Sequence, residues 1–281
     1  MFPVEALPSF LAFAEHLNFT TAARELHISQ PALHVKVRKL AEAVGRPLYL
    51  RDGRRLVLTA DGEALARFAR DREDQLDDFL QHLAGEAQQR PVVLAAGQGA
   101  YLYLLGDVIA REATRLRLIT SSRAQTLALV RDGRAHLGVA VLDAVPDDLD
   151  TVLLAKYPQK LVLPPGHPLA QREVVHVADL AGMRMVVPPA PRPLRMMLER
   201  AAAGATWEVA VEAEGWPLML HFVQLGVGAA VVNGCVRTGL PNLPIVDLPA
   251  VPYYAVHRRG ALSDSRIRRM LDEIRQSLGS T

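Results

Sequence analysis

Between Ser29 and Gly45 the chain carries a complete specification for one helix, together with an outer face unlike that of a buried one. Ser29 is a good N-cap, Pro31 falls in the first turn where a missing N–H does no harm, and Gly45 suits the position just past the end. Leu33, Val37, Leu40 and Val44 recur at i, i+4, i+7 and i+11 and therefore face inward. The opposite face carries Pro31, His34, Val35 and Arg38, with Gln30 at its tip. Upstream, the spacing of Leu7, Phe10, Leu11, Phe13, Ala14 and Leu17 predicts an amphipathic first helix. Asn18 or Thr20 can cap a short helix over 21–26, where Ala22 and Ala23 allow a close neighbour. Two helices joined by a tight turn, the second polar and basic outside, describe a helix-turn-helix. Short strands on either side of Asp52-Gly53 then predict a hairpin, a wing bearing arginines.

Charge follows the same division. Residues 30–58 hold seven basic residues (Lys36, Arg38, Lys39, Arg46, Arg51, Arg54 and Arg55) against Glu42 and Asp52, whereas Asp71, Glu73, Asp74, Asp77 and Asp78 reverse the sign. The net charge of +2 hides this asymmetry. With 281 residues there is room for roughly two domains. A single cysteine, Cys235, excludes an internal disulfide framework and a cysteine-based zinc finger. No apolar run reaches the ~20 residues of a membrane span, and no signal-peptide pattern opens the chain, so a cytoplasmic protein is expected.

Phe19-Thr-Thr-Ala-Ala, Leu26, Ser29-Gln-Pro-Ala-Leu, Leu40, Gly45, Pro47-Leu48-Tyr49, Arg51 and Leu58-Thr-Ala-Asp-Gly62 stand in an order and spacing that resembles the winged helix-turn-helix of LysR-type transcriptional regulators. His34 departs from that pattern where the family usually has serine, Ala41 where it usually has glutamate, and Val35 at a commonly polar position. Further on, Thr59 can cap a helix starting at Ala60. Leu65, Ala69, Arg72, Leu76, Phe79 and Leu83 alternate at four and three residues, a heptad seam suited to pairing with a second helix. The resemblance makes this the dimerisation helix.

From Pro91 short apolar strands alternate with helical patterns, which predicts a parallel α/β sheet. His167-Pro168-Leu169 and Val223-x-x-Gly226-x-Gly228 are similar to turns of the family's effector domain, and His136 stands where the family commonly has aspartate. The resemblance thus implies an α/β fold overall: a winged helix-turn-helix DNA-binding domain over 1–58, a long linker helix over 59–90, and an effector-binding domain over 91–281. That domain would be built like a periplasmic binding protein, with subdomain I near 91–157 and 262–281 and subdomain II near 158–261. Helix starts after strands, with free N–H groups favouring anions, single out Gln98, Gly99 and Ala100, and Ser121, Ser122 and Arg123. Pro188, Pro189 and Arg192 would face them, with Glu214 and Trp216 completing the wall.

Enzymatic signals fail. Leu102 and Val231 occupy the third glycine position of two would-be dinucleotide loops, the histidines show no zinc spacing, and no Gly-x-Ser-x-Gly is present. The expectation is a non-enzymatic regulator without cofactor. Its partners would be a double-stranded operator, a small-molecule effector with organic anions among the candidates, a second or further copies of itself as dimer or tetramer, and RNA polymerase, with no membrane. Gln30, Pro31, His34, Val35 and Arg38 would approach base edges; Lys36, Arg51, Arg54 and Arg55 would contact phosphates. The alternatives are a ligand-independent DNA-binding accessory factor, or a ligand-binding protein whose N-terminal module serves only for assembly.

Overall fold

A computed structural model describes residues 2–84, 90–201 and 206–279; late in the linker helix, at 74, 75, 77–79 and 81–84, it describes backbone only. The described residues separate into two units whose main boundary falls between Arg90 and Pro91.

The first unit opens with α1 (Leu7–His16), α2 (Phe19–Glu25) and α3 (Gln30–Val44). Asn18, not Thr20, caps α2, its Oδ1 accepting from the N–H groups of Thr20 and Thr21 at 2.9 and 3.1 Å. Ser29 Oγ accepts from Ala32 N at 3.3 Å to start α3, and Gly45 ends it at φ +74°. The hairpin pairs β1 (Tyr49–Asp52) with β2 (Arg55–Leu58), Asp52 opposite Arg55. Its turn is therefore Gly53-Arg54, one residue later than the Asp-Gly pair suggests. Phe10, Phe13, Leu33, Leu40 and Leu48 are fully buried in the core beneath.

α4 (Ala60–Ala84) begins under Thr59, whose Oγ1 accepts from Gly62 N and donates to Pro47 O. Leu65, Ala66 and Ala69 are buried in the same core as Phe10 and Phe13. Here the expected seam is corrected: Leu65 and Ala69 serve their own chain's core, because α4 packs its first turns on α1. Among the described side chains of α4, the large apolar groups left exposed are Leu76, which belongs to the expected seam, and Phe68 and Leu80, which do not. Phe79 and Leu83 lie outside the described side chains.

In the second unit a five-stranded sheet has the order β4-β3-β5-β12-β6. Its parallel half is β3 (Val92–Ala96), β4 (Leu116–Thr120) and β5 (Leu137–Val141); β12 (Val251–Arg258) runs antiparallel to both β5 and β6 (Leu149–Tyr157). The sheet is thus mixed, not wholly parallel, and β12 shows that the chain re-enters this lobe near Val251 rather than 262. α5 (Gln98–Tyr103) and α6 (Gly106–Glu112) follow β3. Leu104 and Leu105, between them, are buried in the core. α7 (Arg123–Arg131) follows β4, and α10 (Ser265–Gly279) packs its Ile267, Met270 and Ile274 into the core of this sheet.

Only Pro158 separates β6 from β7 (Gln159–Val162), the centre of a second sheet between β10 (Ala230–Asn233) and β11 (Asn242–Ile245). β8 (Arg184–Val187) pairs in parallel with β9 (Glu208–Glu212), and a Met185–Ala229 bridge joins that pair to the start of β10. α8 (Pro193–Ala201) and α9 (Trp216–Gln224) complete this lobe. β6 and β12 are therefore the two strands by which the chain passes between its lobes. His136, at the variant position, has a packing role: its Nδ1 accepts from Val93 N at 2.8 Å while its own N–H reaches Val93 O. No helix among the described residues is long and apolar enough to cross a membrane.

Candidate functional site

On the outer side of α3, Gln30, Pro31, His34, Val35 and Arg38 are all exposed, and Lys36 is half-buried. Three of them carry contacts of their own. The His34 ring stacks on Phe19, 3.6 Å between centroids and 19° between planes, and Phe19 in turn stacks on Phe13 at 4.1 Å. His34 is thus held against α2 at the head of an aromatic column rather than free to swing. Arg38 Nε sits 3.5 Å from Glu42, an exposed i,i+4 pair too weak to withhold the guanidinium from another anion. Thr20 Oγ1 donates to Gln30 Oε1 at 3.3 Å, tying the tip of α3 to α2. Arg51, Arg54 and Arg55 are exposed on the hairpin, with Arg54 in its turn. The structure therefore brings the base-edge candidates onto one helix face and the three wing arginines onto one hairpin.

In the second unit a cavity of about 680 Å³ opens between the strand ends of the two lobes. Gly99, Ala100, Arg123 and Trp216 line it, as expected. A Cβ on Gly99 would come within 2.7 Å of the Trp216 ring, so the glycine is what lets the indole lie against α5. Tyr101 fixes α5 beneath: its hydroxyl lies 2.7 and 2.9 Å from the carbonyls of Leu94 and Ile119, and burial pushes its pKa up to about 12.

The remaining cleft candidates are not among the lining residues. Ser121 Oγ is spent on Thr126 Oγ1 at 2.8 Å. Ser122 accepts weakly from Gln125 N and receives Gln125 Oε1 on its own N–H, capping α7. Arg192 is ion-paired with Glu214, both exposed; Gln98 is exposed, and Pro188 and Pro189 only follow β8. What the sequence reading lacks is the floor: Thr126, Gln159, Asn233 and Tyr253, with Met197 and residues 249–252 at the start of β12. Gln159 and Asn233 are direct antiparallel partners on β7 and β10. No local pattern reveals which strands pair, so only the topology could have found them. Arg123, the cation on this wall, is itself paired with Asp143, which lines the cavity too.

Cys235 sits below this floor, its Sγ 3.9 Å from Tyr253 Oη. Burial pushes its thiol up to about 11, so at neutral pH almost no thiolate exists to react with oxidants. The second glycine loop is also accounted for without a nucleotide. A Cβ on Gly228 would meet Arg184 O at 2.6 Å, where Val186 N and Ala229 O bond across at 2.7 Å.

A winged helix-turn-helix with an outward polar face, carried on the same chain as a two-lobed α/β domain around a cavity, defines a DNA-binding regulator that includes its own ligand-binding domain. Residues 4–63 match the model for the bacterial regulatory helix-turn-helix proteins of the LysR family, and residues 85–279 match that for the LysR substrate-binding domain. The chain belongs to the LysR family of DNA-binding transcriptional regulators. It is 26% identical to the RuBisCO operon transcriptional regulator of Acidithiobacillus ferrooxidans, across 95% of this chain and 91% of that one. It is 27% identical to the dual regulator OxyR of Escherichia coli K12, across 97% and 94%. Among solved structures, full-length OxyR from Pseudomonas aeruginosa shares the fold at a TM-score of 0.74 with 21% identity, each chain covered to 98%. These relatives are regulators by name, not enzymes.

Proposed function

We propose that this regulator changes its operator contacts when a small molecule occupies the cavity floored by Gln159, Asn233 and Tyr253. The observation that carries this reading is the cavity itself. It is mostly apolar, of the size that small-molecule sites commonly have, and lies where the two lobes meet. α3 would read bases through Gln30, Pro31, His34, Val35 and Arg38, while Lys36, Arg51, Arg54 and Arg55 hold phosphates. Contact with RNA polymerase would couple the bound state to transcription.

The test combines a thermal-shift screen of organic acids, amino acids and aromatic compounds with operator footprinting. A compound that binds the native chain raises its melting temperature with concentration. The hit should alter the footprint of the wild type and leave that of Trp216→Ala unchanged. A hit that stabilises both proteins equally, or an unaltered wild-type footprint, would place regulation outside this cavity.

Self-association is assigned to the exposed apolar face of α4. Phe68, Leu76 and Leu80 are 49, 56 and 52% exposed, a cost in solvent that a second helix removes. Leu76→Glu with Leu80→Glu is expected to halve the mass seen in light scattering and to weaken operator binding. An unchanged mass would move the contact off this helix.

A further inference from the structure

We propose that the effector of this cavity is an uncharged compound, an apolar ring body bearing a carboxamide or hydroxyl group that docks on a neutral wall made by Gln159, Asn233 and Tyr253. The inference rests on the reading that the cavity is the effector site, and it adds the chemical class.

Three uncharged polar side chains converge on that wall, exposed by only 2, 8 and 4%. Their hydrogen bonds are incompletely spent. Asn233 Nδ2 donates to the Tyr253 oxygen at 2.9 Å, so the tyrosine accepts there and keeps its own proton to give. Its other neighbour, Cys235 Sγ at 3.9 Å, is a poor acceptor. Gln159 Nε2 donates to Met197 Sδ at 3.2 Å. A thioether accepts and cannot donate, which fixes the amide nitrogen on that side and leaves Oε1 as the free end. Gln159 Oε1 is buried and has no partner among the described residues. A buried acceptor left unmade is costly, and an occupant able to donate would remove that cost. Gln159 thus keeps an unmet acceptor and Tyr253 an unspent donor, together complementary to a group that both donates and accepts a hydrogen bond.

A carboxylate fits this wall badly. It brings no donor for Gln159, and it would be buried against neutral groups. The Arg123 guanidinium is already matched by Asp143. The surroundings resist negative charge, since burial holds both the Tyr253 hydroxyl and the Cys235 thiol well above their usual range. The rest of the lining, including Leu194, Met197 and Trp216, suits a ring.

The test is calorimetry on the full chain with β-naphthamide and β-naphthoate, near-isosteres that differ in charge and in the donor. The amide is expected to bind at least about tenfold more tightly. Gln159→Met keeps the bulk beside Met197 and should reduce that preference severalfold, with an unchanged melting temperature in the absence of ligand confirming the fold. Should this variant fail to fold, Tyr253→Phe supplies the second arm by removing the donor alone. Tighter binding of the naphthoate, lost in Arg123→Gln, would overturn the neutral class while leaving the cavity as the effector site. Binding of neither probe, or an amide preference untouched by both wall variants, would overturn the proposal; the cavity reading would then stand or fall on the Trp216→Ala footprint.

Discussion

Gly62→Ala is expected to lower the melting temperature of the N-terminal unit by about 10–20 °C, the equivalent of roughly 3 kcal/mol in a domain of this size. A Cβ there would lie 1.9 Å from Leu48 O and 2.9 Å from its carbonyl carbon, both backbone atoms that no rotamer change can move. Relief requires α4 to lift from the hairpin. That displaces Thr59, whose Oγ1 donates to Pro47 O at 2.7 Å and whose N–H donates to Leu48 O at 3.1 Å. Gly239→Ala is the control, since a Cβ on Gly239 meets nothing within 4 Å and its backbone lies outside the left-handed region. Melts followed by circular dichroism decide it: equal midpoints for the two variants would mean that α4 and the hairpin do not approach this closely in solution.

Arg54→Ala with Arg55→Ala is expected to weaken DNA binding by about tenfold or more at low salt, for specific and random sequences alike. Both side chains are exposed on the hairpin, so their removal should leave stability within about 0.5 kcal/mol. If each neutralises one phosphate, the slope of log K against log salt falls by about 2. Titrations at several salt concentrations separate this from a folding defect, which would lower the active fraction without altering the slope. An unchanged slope would show that the wing arginines do not touch the backbone of the duplex.

The parts of the fold legible in the sequence are those whose determinants are local. α3 runs from Gln30 to Val44 as expected because cap, periodicity and terminal glycine all lie within its own span. β6 was not legible. Leu149–Tyr157 lacks an alternating pattern, and the segment is extended because β12 pairs along its length. The linker shows a subtler confusion. A stripe at four- and three-residue spacing serves equally for a partner helix or for the chain's own core, and Leu65 and Ala69 belong to the core. His34 could be placed on the outer face of α3, yet its stack on Phe19 depends on how α2 crosses α3. In the cleft, the helix starts that mark Gly99 and Arg123 are readable, whereas the Gln159–Asn233 pairing joins strands distant in sequence. The polar groups that distinguish an amide from an acid were accordingly the least visible.

The burial of Leu65, Ala66 and Ala69 beside Phe10 and Phe13 leaves no joint between the reading head and the first turns of α4. Two copies paired along the rest of that helix would behave as a fixed calliper whose jaws are the two α3 helices. Each inserted base pair turns one half-site about a tenth of a revolution around the duplex. The calliper has no hinge at its head to follow that turn, so such a protein and its promoters would have to change in step. A drifted half-site would be recovered by bending the DNA or by re-cutting the helix pairing, not by loosening the head.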